Sequence, residues 1–237
     1  RLGVIGVSDW ITNEAKQSFL MDAPILKRIY NWIDTTIFYP RARDTVKSKY
    51  SIADDKFIVF CASAGWRKES VRYKDLLKLA ELLPESMQLV VAGRLPEGTV
   101  HGKIHSVGFV SDPIDLAGLY SAADVYVHLS REDTFGKVIV EAQACGTPAI
   151  VYNTTACPEL IHNNCGYVAE VGNIQEILKY DISRFSNLIF EPKTQLKISL
   201  SGKVRFSANC IETAREHYEK TALILETIKL YETLANM

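Results

Sequence analysis

The sequence predicts a doubly wound α/β domain, in which a parallel sheet is covered by helices on both faces. Two observations carry that prediction. From residue 57 onward, short apolar runs alternate with segments of helical periodicity. Residues 57 to 92 read as one β-α-β unit, and the pattern repeats after residue 112.

Taken in order, residues 1 to 20 read as a strand, Val4 to Val7, followed by a helix, Ile11 to Leu20. Tyr30 to Ala53 is polar and without periodicity, as a linker would be, with a boundary near residue 40. Phe57 to Ala62 is a buried-strand run. Tyr73 to Leu83 carries Leu76, Leu79, Ala80 and Leu83 at helical spacing and is closed by Pro84, and Gln88 to Ala92 is the next strand. Asp112 and Pro113 form an N-cap and first-turn pair before Leu116, Leu119, Tyr120 and Ala123. The strand Val125 to Leu129 follows, then a helix from about Gly136 to Cys145 that stops at Gly146. Pro148 to Tyr152 and Gly166 to Ala169 are the last strands. Ile211, Ala214, Tyr218, Ala222, Leu225 and Ile228 form one stripe of a helix of about 25 residues, long for a globular helix. Residues 180 to 205 are left unassigned.

Composition excludes several functions. The 237 residues are 47% hydrophobic and 23% charged, an ordinary globular balance. Twenty-seven basic against twenty-eight acidic residues leave a net charge of −1, so no global field draws the chain to nucleic acid. A phosphate site must be local. Apolar runs such as Phe57 to Ala62 fall far short of the ~20 residues that span a bilayer. Cys61, Cys145, Cys157, Cys165 and Cys210 are odd in number and show no CxxC spacing, which places the chain in a reducing cytoplasm. It opens on Arg1 and a strand-like run without a secretory n-region, and reads as a piece of a longer protein. Gly98 to Ile104 imitates a P-loop but has three residues between its glycines and ends in Ile104. The Asn153-Thr-Thr sequon is a coincidence in a chain without a secretory signal. No His, Cys or Asp-x-Asp spacing matches a metal site, so metal independence is expected, and His128, in an apolar strand, reads as a core histidine.

The informative stretch runs from Ser130 to Pro148: Ser-Arg-Glu-Asp-Thr-Phe-Gly-Lys-Val-Ile-Val-Glu-Ala-Gln-Ala-Cys-Gly-Thr-Pro. Glu141 lies eight positions after Asp133, about 12 Å and roughly 80° along a helix. That suits a nucleotide sugar: a carboxylate before the helix accepts from sugar hydroxyls, and one two turns on takes both ribose hydroxyls. The diphosphate lies between, at the N–H groups around Thr134, Phe135, Gly136, Lys137 and Val138 and at the positive end of the helix dipole. Capping and a solvated helix face are the plainer reading of two such acids.

This stretch resembles the retaining glycosyltransferases of the GT4 family. Their hallmark is an acid, seven residues and a glutamate opening Glu-Ala-x-Ala-x-Gly-x-Pro, the places of Asp133 and Glu141 here. Cys-Pro-Glu-Leu-Ile at 157 to 161, Gly108-Phe-Val, and Tyr30-Asn-Trp-Ile-Asp34 with Phe38 and Pro40 extend the likeness, with Trp32 where the family has glycine. The resemblance implies a Rossmann-like domain, the C-terminal half of a GT-B fold. It implies Asp133, Glu141, Arg67 and Lys68 as catalytic, and Val110, at the base, with Glu159 and residues 134 to 138 as donor-binding. The basic segment departs from the family pattern. Glu69 stands for a glycine, and counting back from the next helix moves the expected pair toward Ser70 and Val71, leaving Arg72 as an alternative grip on the diphosphate. Glu159 has a second reading, a charge at the start of a helical turn over Leu160 to Asn163.

The resemblance further implies three parts: 1–40, the remainder of an acceptor domain plus linker; 41–205, the donor domain; and 206–237, a helix returning toward the first. The function implied is retaining transfer from a UDP- or GDP-linked sugar, without cofactor or metal, to a glycan or lipid-linked acceptor hydroxyl in polysaccharide biosynthesis. Peripheral membrane association of a full-length protein is compatible with it. A non-catalytic nucleotide-binding or regulatory module is the alternative, supported by Glu69 and Trp32. Epimerase and phosphorylase relatives are disfavoured.

Overall fold

A computed structural model describes residues 2–99, 102–162, 164–185 and 196–236, with backbone alone for 180–185 and 196–206. Six parallel strands form the main sheet: β3 (Phe57–Gly65), β4 (Met87–Arg94), β5 (Ile104–Gly108), β6 (Val125–His128), β7 (Ala149–Tyr152) and β8 (Gly166–Ala169). Their order is β5-β4-β3-β6-β7-β8, so the chain winds outward from β3 in one direction and from β6 in the other. In such a sheet the ligand crevice lies beyond the carboxyl ends of the two central strands. Here those ends are Gly65 and His128.

The strand sequences explain the two-sided burial. Successive side chains alternate faces, so Val59 and Cys61 of β3 enter one core with Leu89, Val127 and Tyr152, while Ile58 and Phe60 enter the other with Val90, Tyr126 and Val151. Both faces need apolar residues, which is why the strands read as unbroken apolar runs. The helices α3 (Val71–Leu82), α4 (Pro113–Ala122), α5 (Lys137–Ala144) and α6 (Ile174–Phe185) connect or flank them. Ser70 caps α3 by accepting the Tyr73 N–H at 3.2 Å, and Asp112 caps α4 by accepting the Ile114 N–H at 2.8 Å.

The amino-terminal segment forms a separate parallel pair, β1 (Gly3–Gly6) with β2 (Ile25–Arg28), joined by α1 (Asp9–Lys16) and a 3₁₀ turn, Phe19–Asp22. The helix expected to Leu20 therefore stops at Lys16. Ser18 begins the next turn, its hydroxyl accepting from the Leu20 N–H at 3.2 Å.

Three other expectations are corrected. The linker contains α2 (Arg43–Tyr50), whose polar sequence hides one inward face: Val46 packs on Gly118 of α4. Two edge strands, β2 and β5, were not predicted. The single carboxyl-terminal helix is two, α7 (Leu196–Tyr218) and α8 (Lys220–Asn236). The Tyr218 carbonyl accepts the N–H of Ile33 at 2.9 Å, while the Ala222 N–H turns to Glu219 Oε2 at 2.9 Å. The helix ladder is thus broken by the linker and restarted by a side-chain cap. Leu223 and Leu230 of α8 then pack on Ile29 with Ile5 and Ile25. Arg1, residues 100–101, Asn163, residues 186–195 and Met237 lie outside the described residues, so the turn expected through Asn163 is seen only as a 3₁₀ segment, Cys157–Leu160.

Candidate active site in the sheet crevice

The loop after β6 and the start of α5 form one side of the crevice. Four of the nine residues from Asp133 to Glu141 precede the helix, so the 12 Å helical separation does not apply. Gly136 is the N-cap of α5, with φ +89 and ψ +54. That is left-handed backbone which glycine adopts without penalty. The N–H groups of Lys137 and Val138 open the helix, where no intrahelical acceptor exists. Thr134 is exposed. Phe135 is buried against Tyr30 and Tyr218, so only its backbone is available to a ligand.

Glu141, one turn beyond Lys137, is 8% exposed. Burial pushes its carboxyl up to about 7, against the opposing pull of Lys137 and of the Tyr120 hydroxyl. Glu141 and Lys137 line a cavity of about 370 Å³ together with Val110, Trp32, Asp34 and Leu116. The Lys137 and Lys220 ammonium groups lie 5.1 and 4.9 Å from the Trp32 ring centre, and Lys220 bonds Asp34 at 2.9 Å. The residue that departs from the family's glycine is thus a wall of this cavity, held there by the break between α7 and α8. A second cavity, about 430 Å³, is lined by Pro40, Arg43, Asp124, Thr147 and Ile211. It opens at the amino ends of β6 and β7, away from the crevice.

Asp133 occupies a different neighbourhood. Its Oδ2 lies 2.7 Å from His128 Nε2, its N–H donates to Thr155 Oγ1 at 3.1 Å, and its carbonyl accepts the Ala156 N–H at 3.3 Å. Burial raises its pKa, but the hydrogen bond and charge of His128, with Ser130 and Arg72, outweigh that and hold it below the ordinary value. Thr155 sits at φ +50, unusual for a β-branched residue. Position 133 therefore carries an ionised group, where position 141 carries one that titrates near neutrality.

The basic residues divide similarly. Arg67 and Lys68 are exposed on the loop after β3, which Trp66 anchors by donating Nε1–H to the Ala92 carbonyl at 3.1 Å. Arg72, half-buried in the first turn of α3 and 5.6 Å from the Trp66 ring centre, is the one whose charge reaches Asp133. Glu159 has a partner elsewhere: its Oε2 accepts the Asp9 N–H at 2.8 Å, at the start of α1. Val110 and Lys137 share the Glu141 cavity, and Val138 is half-buried beside it on α5.

Linear spacing did not reveal one cluster. Ligand atoms of His128, Asp133 and Cys157 lie within 4.8 Å of one another, a donor set of zinc-like chemistry. Burial pushes the Cys157 thiol up to about 12, and His128 and Asp133 bond each other, so the three groups are satisfied as they stand.

Residues 42–187 match the family model described as glycosyl transferases group 1. The chain belongs to this family. As a group 1 chain it is 29% identical over 180 residues to N-acetyl-alpha-D-glucosaminyl L-malate synthase of Bacillus anthracis, covering 72% of this chain and 46% of that protein. It is 32% identical over 145 residues to a GDP-mannose-dependent alpha-(1-6)-phosphatidylinositol dimannoside mannosyltransferase of Mycobacterium tuberculosis, covering 58% of this chain and 38% of the relative. The chain thus spans less than half the length of these curated relatives. Its fold matches that of Anabaena HepE, solved in complex with UDP-glucose, with a TM-score of 0.68 and 20% identity over 99% of this chain and 64% of that one. The domain is therefore Rossmann-like, as in GT-B glycosyltransferases. No helix among the described residues of this group 1 chain is long and apolar enough to cross a membrane.

Proposed function

We propose that the chain binds a nucleotide diphosphate sugar across the β3–β6 crevice and is the donor half of a GT4-type retaining glycosyltransferase. The observation that carries this reading is the division of the two acids around the α5 N-terminus. Glu141 shares a cavity with Val110 and Lys137, while Asp133 is held ionised on the other side of Gly136. In this reading Glu141 accepts the ribose hydroxyls and Val110 offers backbone to the base. The diphosphate lies on the N–H groups of Gly136, Lys137 and Val138, and Asp133 accepts from sugar hydroxyls.

Arg67, Lys68 and Arg72 supply the positive charge that a departing diphosphate needs. Departure leaves developing positive charge at the anomeric carbon, and transfer with retention places the acceptor on the face the diphosphate leaves. The acceptor, a glycan or lipid-linked hydroxyl, is brought by a domain of which residues 1–40 are a part, with 41–205 as the donor domain and 206–237 returning to the first. No metal is assigned to the site. Relatives named for GDP-mannose and a fold neighbour solved with UDP-glucose keep both bases in view. Five buried free thiols support a cytoplasmic location.

Thermal shift with UDP-, GDP- and ADP-linked sugars tests the reading, since a ligand at 100 times its Kd adds about 2.7 kcal/mol of stability. Stabilisation by one base is expected, and Asp133→Asn should weaken the nucleotide sugar more than the free nucleoside diphosphate. No stabilisation by any of them would leave the non-catalytic module.

A further inference from the structure

The ring of His128 ends β6 at the crevice, is 7% exposed, and has both nitrogens engaged. Tyr126 Oη lies 3.1 Å from Nδ1 and Asp133 Oδ2 lies 2.7 Å from Nε2. An ionised carboxylate only accepts, so Nε2 carries a proton and donates to Asp133, while Nδ1 meets the Tyr126 hydroxyl. Tyr126 is fully buried, and burial foremost holds its phenol well above the ordinary value, so it keeps its proton. The loop after β7 completes the hold. Thr155 and Ala156 fix the Asp133 backbone, and Thr155 keeps a strained φ of +50 in doing so. What the backbone contacts leave free is rotation of the carboxylate, and His128, at 2.7 Å and beside Ser130, restrains it.

We infer that His128, with Tyr126 behind it, is a positioning residue that turns the Asp133 carboxylate toward the sugar of the donor. This rests on the reading of Asp133 given above. A residue in an apolar strand that sequence assigns to the core thus orients Asp133. With one lone pair of Oδ2 taken by the imidazole, Oδ1 is the oxygen that His128 leaves open to a sugar hydroxyl.

The test is calorimetry on this chain with UDP, UDP-glucose, GDP and GDP-mannose. The readout is the ratio of the Kd of a nucleoside diphosphate to that of its sugar, for the base that binds. His128→Leu is expected to lower this ratio roughly three- to tenfold, as the loss of one orienting hydrogen bond does, with nucleoside diphosphate affinity kept within about twofold. His128→Gln, whose amide N–H can point the same way, should recover most of the ratio. An unchanged ratio in His128→Leu, or an equal loss for both ligands, overturns the proposal. If His128→Leu fails to fold, Tyr126→Phe decides: a fall of about twofold or more supports the relay and an unchanged ratio refutes it. Wild-type chain that binds the nucleoside diphosphate but does not prefer its sugar removes the Asp133 reading and this proposal with it. Wild-type chain that binds none of the four removes the donor reading itself.

Discussion

Glu159 Oε2 accepts the backbone N–H of Asp9 at 2.8 Å, joining the 3₁₀ turn after β7 to the first turn of α1 across 150 residues. A carboxylate at this place satisfies a donor that α1 cannot satisfy itself and complements the helix dipole. Glu159→Ala is expected to cost about 1 kcal/mol, the scale of a lost helix cap, and to lower Tm accordingly. Nucleoside diphosphate affinity should stay within about twofold. A loss above about fivefold in calorimetry would return Glu159 to the donor site.

If Glu141 is the ribose acceptor, it is expected to make stability and binding depend on pH in opposite senses. Its carboxyl sits at about 7 when folded against an ordinary 4.5. Between those values the folded state holds a proton that the unfolded state has lost, so this contribution is full below about 4.5 and is lost as pH rises through about 7. The amplitude is at most about 3 kcal/mol. Glu141→Gln should flatten that slope in denaturant melts at pH 5, 6.5 and 8. In the proposed reading nucleotide affinity needs the charged acceptor, so it should rise over the same window in wild type relative to Glu141→Gln. Parallel pH profiles for the two proteins would show that Glu141 is not the ribose acceptor.

Chelation should leave donor binding unchanged within about twofold, because His128 and Asp133 already satisfy each other and Cys157 keeps its proton. The measurement is donor Kd before and after EDTA dialysis. A large loss restored by zinc would put a metal at the His128, Asp133 and Cys157 cluster.

Acceptor chemistry gives the last prediction. The chain spans 46% and 38% of two glycosyltransferase relatives, and a retaining transfer needs an acceptor oxygen held within reach of the anomeric carbon. This chain alone is expected to bind donor and transfer no sugar. Radiolabelled donor, followed with this chain and with a full-length relative as control, checks it. Sustained turnover by the chain alone would overturn the domain assignment.

Local rules determined much of this protein from sequence. The apolar runs of β3, β4, β6 and β7, the cap Asp112 and the stop at Gly146 depend on neighbours a few residues away, so they are legible in a line of letters. The α5 stretch is legible for the same reason: Gly136, Lys137 and Glu141 are set by one turn and one helix. Tertiary structure decided what depends on distant partners. The polar helix α2 shows only one inward face, Val46 on Gly118. The ladder of the last helix is broken by Ile33, far away in the linker, and the same contact brings Trp32 beside Lys137 and Lys220. The placement of His128 and Thr155 against Asp133 follows from the pairing of β6 with β7, which brings the loops after those strands together. Sequence periodicity records which face of an element is apolar. Which polar side chains then meet at the end of the sheet depends on strand order and on loops that carry no period.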